Sequence, residues 1–294
     1  MRKSPLEARL APKAAMEDVG RMCVSLAGPM LVAVALGIIV LISSSMYVLV
    51  FPTLGYGAAH YAWFTCIVFS IVFNYTFTIR RGPGQTPNLD DAASAALRLY
   101  YPSSHAMANF CSTCNGIKPP SAHHCRVCGR CILRMDHHCV WLGTCIGLHN
   151  YKHFFRFLVF CSVGTLYVAC VTFRPHTLRF RGVAELQMTY TTPTDFWIGI
   201  TFIASVAVCA GVSFLLAFHA MLVCRGMTTI EWLDSSPARH GGRRSRSMRE
   251  NFRTAFGATG ALWFVAWAVP TDVSPMPRDV IAYYSSTAKT SLAV

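Results

Sequence analysis

Charge is scarce in this chain. Only 13% of its 294 residues are Asp, Glu, Lys or Arg, against about a quarter in an ordinary soluble domain. With a mean hydropathy of +0.41, much of the chain has a solvent other than water. There is no internal repeat and no sizeable low-complexity tract, so nothing suggests a repeat-built recruitment surface. The long apolar runs hold almost no ionisable residue, which argues against a transporter or channel, whose pathway would show them. His60, Arg156 and His219 are the exceptions, and all three fall near the ends of runs. Lys and Arg are absent between the first two runs.

Four runs are present, at about Leu26–Phe51, Ala58–Thr78, Phe154–Phe173 and Trp197–Cys224. Each reaches the roughly 20 residues that a helix needs to cross a bilayer. The first is too long for the apolar core of a signal peptide, and no small-residue cleavage site closes it. A fifth stretch, Ala261–Val269, is too short to span; with Trp263 and Trp267 it suits the headgroup level. Arg2, Lys3 and Arg9 precede the first run, Arg80, Arg81, Arg126, Arg130 and Arg134 lie between the second and third, and Arg239, Arg243 and Arg244 follow the fourth. Positive residues stay cytosolic. Both termini and the middle segment are therefore predicted cytosolic, with a luminal loop at 174–195. The formal net charge of +13 follows from this topology and from anionic headgroups, so no nucleic-acid partner is expected. The predicted organisation is a cytosolic tail over 1–25, two spans within 26–78, a cytosolic cysteine-rich domain over 79–153, two spans within 154–224 and a cytosolic tail over 225–294. The expected fold class is a membrane all-α protein: four transmembrane helices, with a two-zinc cysteine-rich domain between the second and third. A turn-rich exit is expected at Arg80–Leu89, a short helix at Asp90–Leu99, a flexible segment at Asp234–Arg249 and disorder in the last dozen residues.

Seven of the 13 cysteines lie between Cys111 and Cys145. Cytosolic thiols stay reduced, so a dense cluster there is metal-binding or catalytic. From Cys111 the spacing reads C-x2-C-x9-H-C-x2-C-x2-C-x4-D-H-H-C-x5-C. Thiols two residues apart reach one ion from a tight turn, and zinc takes four such ligands. Cys111, Cys114, Cys125, Cys128, Cys131, Cys139 and Cys145, with His123, His124, His137 and His138, supply two sites and leave a Cys–His pair over. Spacing does not choose between His137 and His138 as ligand. Chemistry alone leaves Cys139 as either a further ligand or a nucleophile activated by an adjacent imidazole and carboxylate.

The tetrad Asp136-His137-His138-Cys139, set among these cysteines, resembles the DHHC cysteine-rich domain of membrane protein palmitoyltransferases. Satellites match as well: Lys118-Pro119-Pro120, Asn150-Tyr151 before the third run, Thr228-Thr229-Ile230-Glu231 after the fourth, and Asn251-Phe252 opening an aromatic motif. The resemblance implies one zinc on Cys111, Cys114, His124 and Cys131, and another on Cys125, Cys128, His138 and Cys145, with Asp136, His137 and Cys139 catalytic. It further implies transfer of a long-chain acyl group from acyl-CoA (palmitoyl-CoA) to Cys139 and then to a cysteine of a protein substrate. Thr229 is expected to touch Asp136, and Asn251 to support the site. The compartment implied is an endomembrane (Golgi or ER) or the plasma membrane. A membrane-anchored zinc-binding adaptor without chemistry is the alternative.

Four positions depart from the family pattern: Val140 for Pro, Gly143-Thr144 for two Asn, Ser121 for a common Arg, and Gly82-Pro83-Gly84 for Asp-Pro-Gly. They bear on rate and acyl preference. A palmitoyl chain of roughly 20 Å matches about 13 residues of helix rise. Counted from Asn150, that reaches Gly164, where a missing side chain leaves room for chains of 16 carbons or more, or else lets two helices pack closely. Arg126, Arg130 and Arg134 are candidate partners of the CoA phosphates, or solvated charges.

Overall fold

In the computed structural model the described residues are 5–86, 110–114, 116–118, 121–181, 193–234 and 247–256. Helix α1, Pro5–Ser45, runs through a π turn at Met46–Val50 into α2, Phe51–Leu54. Gly55, at φ +70°, ends this rod in the left-handed conformation that glycine adopts without penalty. Helix α3 is Ala58–Arg81, α4 is Tyr151–Arg181 and α5 is Pro193–Arg225. Four segments are long and apolar enough to cross a membrane: Leu26–Leu54, Ala58–Arg81, Tyr151–Phe173 and Pro193–Arg225. Phe214 is 79% exposed and Met30 72%, so apolar surface is turned outward. A lipid solvent tolerates that surface and water does not.

Helix α4 packs between α3 and α5. Near one end of the bundle Met46, Val50, Phe51, Phe64, Val168 and Ile198 form a core. The buried Ser45 and Thr201 hydroxyls meet there at 2.6 Å, which satisfies two polar groups that lipid could not.

Two expectations change here. The 174–195 loop is shorter, because α4 continues through Arg181 and α5 begins at Pro193. Charge ends an apolar window but not the i→i−4 hydrogen-bond ladder, which propagates cheaply once formed. The same reason carries α1 back to Pro5, through the expected tail. The helix expected at Asp90–Leu99, the Ala261–Val269 stretch and most of the C-terminal tail lie outside the described residues.

The cysteine-rich segment has regular structure. It contains three antiparallel hairpins: β1 Phe110–Cys111 with β2 Gly116–Ile117, β3 His123–Cys125 with β4 Arg130–Ile132, and β5 His137–Cys139 with β6 Thr144–Ile146. The exit from α3 lies along β4: Leu133 N–H donates to Gly84 O at 3.1 Å and Thr86 N–H to Cys131 O at 3.1 Å.

Asn150 locks this unit to the bundle. It is fully buried, accepts from Gly147 N at 2.9 Å, and donates to Cys145 O at 2.9 Å and Thr78 O at 3.0 Å. Asn150→Ala strands three buried backbone groups, each costing roughly 1–3 kcal/mol. We expect a loss of at least about 3 kcal/mol, read as a lower thermal midpoint in detergent with zinc content followed in parallel.

Candidate active site and metal centres

Two donor sets converge. In the first, the His124 ring nitrogen Nδ1 lies 3.5 Å from Cys111 Sγ, 3.2 Å from Cys114 Sγ and 3.8 Å from Cys131 Sγ. In the second, His138 Nδ1 lies 3.6 Å from Cys125 Sγ, 3.4 Å from Cys128 Sγ and 3.5 Å from Cys145 Sγ, while Cys128 and Cys145 are 3.5 Å apart. A tetrahedral zinc with bonds of about 2.3 Å to sulfur and about 2.0–2.1 Å to nitrogen sets N···S near 3.6 Å and S···S near 3.8 Å. Both sets fit that ion. The Cys114 and Cys128 N–H groups each point to the preceding thiol, Cys111 and Cys125, at 3.4 Å. Those bonds fix the tight turns that C-x2-C requires.

Strand alternation explains how ligands of both sites share one hairpin. On β3 and β4, His124 faces Cys131 across the ladder, and Cys125 faces Arg130. Successive residues point to opposite sides of a strand. His124 and Cys131 therefore serve the first site, and Cys125 the second.

The same rule resolves the tetrad. On β5, His138 faces Cys145 of β6 and completes the second site. His137 and Cys139 flank His138 and share the opposite side. The turn closing the hairpin passes through Gly143 at φ +60°. Asn is the other residue that enters this region readily, so glycine there keeps the turn that an asparagine would make.

Asp136 is 1% exposed. Its Oδ2 lies 2.8 Å from His137 Nδ1 and accepts from Thr229 Oγ1 at 2.7 Å; its Oδ1 accepts from Thr229 N–H at 3.0 Å. A carboxylate accepts only, so Nδ1 carries the proton and Nε2 is left as an acceptor. Burial would raise the Asp136 carboxyl; the His137 hydrogen bond, the nearby His219 and the Thr229 hydroxyl outweigh it and hold it below the usual range. Burial would lower His137; its hydrogen bonds to Asp136 and Cys139 reverse this and push it up to about 9. An imidazole so tuned is a strong base toward the neighbouring thiol. Cys139 is half-buried and packs against a cluster of Tyr75 of α3, Leu142, Ile146, and Phe154 and Leu158 of α4, a cluster that Val32 of α1 and Val212 and Leu216 of α5 also join. All four spans thus contribute to an apolar floor beneath one thiol.

The segment after α5 serves this site. Gly226, at φ +67°, ends α5. Thr228 and Glu231 then form a reciprocal cap on α6, Thr229–Leu233, with Glu231 N–H donating to Thr228 Oγ1 at 3.2 Å and Thr228 N–H to Glu231 Oε2 at 2.8 Å. That cap leaves Thr229 free to grip Asp136. Ser121, at φ +62°, donates to the other Glu231 oxygen at 2.5 Å. Asn251, on α7 at Met248–Phe256, donates to Cys224 O at 2.8 Å. A side chain at Gly226 would strike the Asn251 amide, so this glycine lets the asparagine close the end of α5.

Two expectations are redirected. Arg134 bonds Thr254 O at 3.3 Å and clamps α7, whereas Arg126 and Arg130 are exposed. Gly164 faces α3: a Cβ there would meet Ile67 Cγ2 at 2.9 Å and Ile71 Cδ1 at 3.3 Å, the close-packing arrangement. His219 and the Tyr151 hydroxyl also border the site, as the sequence reading did not foresee. The available signal was an ionisable group inside an apolar span, a functional candidate by default.

Fold and site together define a protein of membrane-spanning helices that carries two Cys3His metal-binding sets and a Cys–His–Asp constellation on an apolar floor. Residues 104–236 match the DHHC palmitoyltransferase family model. It is 34% identical over 175 residues to "Probable protein S-acyltransferase 13" of Arabidopsis thaliana, covering 60% of this chain and 57% of that protein. It is 33% identical over 196 residues to "Probable protein S-acyltransferase 14" of the same plant, covering 66% and 62%. With "Palmitoyltransferase ZDHHC2" of Homo sapiens the identity is 32% over 178 residues, covering 59% and 47%. The chain thus matches about three fifths of the length of the plant relatives and about half of the human one.

Proposed function

We propose that this protein is an S-acyltransferase that takes a long-chain acyl group from acyl-CoA onto Cys139 and passes it to a cysteine of a protein substrate. The observation that carries this reading is the position of Cys139. It stands outside both metal-binding sets, beside the His137–Asp136 pair, on an apolar floor built from all four spans.

His137 Nε2 removes the Cys139 thiol proton. The thiolate attacks the thioester carbonyl of acyl-CoA, the carbon–sulfur bond to CoA breaks, and His137 returns the proton to the departing CoA thiolate. In the second half His137 takes the proton of the substrate thiol, whose sulfur attacks the acyl-Cys139 thioester, and Cys139 leaves protonated. No atom or electron is left over, and covalent catalysis divides one hard exchange into two easier ones. Asp136 fixes the His137 tautomer. Arg126 and Arg130 lie near enough in sequence to the site to meet the CoA phosphates. Zinc on the two donor sets supplies folding energy, holding β5 and β6 in the register that sets His137 and Cys139 side by side.

The tetrad stands on the cytosolic side, where acyl-CoA is available, with both termini, in an endomembrane (Golgi or ER) or the plasma membrane; the Lys and Arg distribution supports that orientation. The test is incubation of the purified protein with labelled palmitoyl-CoA. We expect a hydroxylamine-sensitive adduct on the wild type and none on Cys139→Ser. No adduct on the wild type, or equal label on the variant, would replace the transferase with a zinc-binding adaptor.

Gly164 sits where α3 approaches α4, and leucine there would press on Ile67 and Ile71 and force the helices apart. We expect Gly164→Leu to lower the thermal midpoint and to leave acyl-CoA chain-length preference unchanged; a shift toward chains shorter than 16 carbons would place Gly164 at an acyl cavity.

A further inference from the structure

The nucleophile, base and carboxylate leave one buried titratable side chain at the site without a task. His219 lies on α5, six residues before the helix ends, and is 1% exposed. Its ring centroid is 5.7 Å from that of His137, with the planes at 39°. One ligating atom each of His219, His137 and Asp136 lie within 4.8 Å of one another. Phe154 meets the His219 ring edge-on at 5.0 Å and Phe218 at 5.6 Å. Its Nδ1 is 3.3 Å from the hydroxyl of Tyr151, the first residue of α4. That phenol and Asp136 border one small crevice, which Arg134, Thr228 and Thr254 also line.

A histidine enclosed by aromatic rings is an expensive filler, because its polar nitrogens must find partners away from water. A phenylalanine would fill the same wall more cheaply. The position of His219 gives a reason for the polar choice. His137 is tied to the protein on its Asp136 side, and β5 is a three-residue strand. The imidazole must still hold its other nitrogen toward Cys139 through two successive proton transfers. A neighbouring ring set at a fixed angle stops it from swinging into the apolar wall. Tyr151 fixes that neighbour.

We infer that His219, held by the Tyr151 hydroxyl, is a positioning residue that keeps the His137 imidazole directed at Cys139. The inference rests on the acyltransferase reading for its consequence in turnover, but the geometry also predicts an effect on the bare thiol. His219 meets Cys139's apolar floor at Phe154, and phenylalanine at 219 keeps an aromatic ring on that wall, so His219→Phe should lower the rate of acyl transfer and leave the KM for acyl-CoA unchanged. A displaced catalytic group costs on the order of 100-fold in rate, and His219→Phe should approach that figure. Asparagine sets an amide nitrogen or oxygen close to the place of Nδ1. His219→Asn should therefore recover most of the loss while Tyr151 is present, and not in Tyr151→Phe. Tyr151→Phe alone removes one hydroxyl from a buried wall and keeps its rings packed.

The experiment follows two readouts in the full-length protein in detergent, with zinc measured on every sample. One is autoacylation by labelled palmitoyl-CoA, as kcat and KM. The other is the initial rate of Cys139 alkylation by iodoacetamide without acyl-CoA, mapped by peptide mass spectrometry. Support consists of lower kcat and slower alkylation in His219→Phe, unchanged KM and zinc, rescue by asparagine, and non-additivity with Tyr151→Phe. Wild-type rates in His219→Phe overturn the proposal. So does a loss accompanied by zinc release, or one that asparagine does not relieve, since either marks His219 as packing alone. A wild type that takes no label ends the transferase reading, while the alkylation series still decides the role of His219.

Discussion

Asp136→Asn should slow acylation of Cys139 by on the order of 10^3–10^4, the penalty seen when a triad carboxylate becomes an amide and the histidine adopts the wrong tautomer. The hydrogen-bond set here makes that outcome specific. The carboxylate receives three donors, His137 Nδ1–H, Thr229 Oγ1–H and Thr229 N–H, and with 1% exposure no solvent can stand in for a lost one. An amide accepts at one oxygen only and turns an N–H2 toward either His137 or Thr229. Facing His137, it favours the tautomer with the proton on Nε2, which cannot take a proton from Cys139. The side-chain volume barely changes, and Asp136 is no part of either metal-binding set. Zinc content and thermal midpoint should therefore stay close to wild type while single-turnover labelling collapses. Label at the wild-type rate would remove Asp136 and its tautomer control from the mechanism.

Cys145→Ala should abolish labelling for a different reason, by dismantling the support. Cys145 is fully buried on β6, directly across from His138. Without its thiolate the second set keeps three ligands. Structural zinc contributes apparent binding free energies of about 10–16 kcal/mol to small domains, and a segment whose core consists of Ile132, Met135 and two metal-binding cysteines has little else to hold it. Zinc per chain should fall from two to one, the thermal midpoint should drop, and label should vanish. Cys139→Ala is the control: label is lost and both ions stay. A Cys139 variant that also released zinc would make Cys139 a ligand and collapse the distinction on which the mechanism depends.

Much of the site was legible in the residues because chemistry constrains spacing. C-x2-C pairs announce metal-binding turns, and a Cys and His left over beside an Asp offer either a further ligand or a nucleophile. The spans were legible because a bilayer fixes their length and composition, and the structure keeps all four, with shifted ends. What stayed hidden depended on contacts between distant segments. Thr229, 93 residues from the carboxylate it grips, was expected there through the family resemblance alone, and Ser121 lies 110 residues from Glu231 with nothing in the sequence to pair them. His219 looked like an incidental ionisable residue near the end of a span until α5 brought it beside His137. Arg134 read as a partner of the CoA phosphates or a solvated charge until α7 supplied the Thr254 carbonyl.

The departures from the family pattern divide in the same way. Gly143 was a worrying change in the sequence and becomes benign once its left-handed φ is known. Ser121 looked like a lost arginine and turns out to bind the cap that presents Thr229. Gly164 read either as space at a cavity end or as a close helix contact, and in three dimensions it is the place where α3 approaches α4.

By itself, the sequence determined the composition of the solvent, the four apolar spans, the supply of metal ligands and the presence of a spare thiol with an imidazole and a carboxylate. These depend on residue type and local spacing, which do not change with the path of the chain. Spacing left open which histidine does which work, the family resemblance implied an answer, and the tertiary structure supplies the directions behind it. His137 and His138 are adjacent and chemically identical, and the alternation of a three-residue strand sends one to Cys145 and the second metal-binding set, the other to Asp136 and Cys139. That assignment is a matter of direction, and direction exists only once β5 is paired with β6 and Thr229 has closed on the carboxylate.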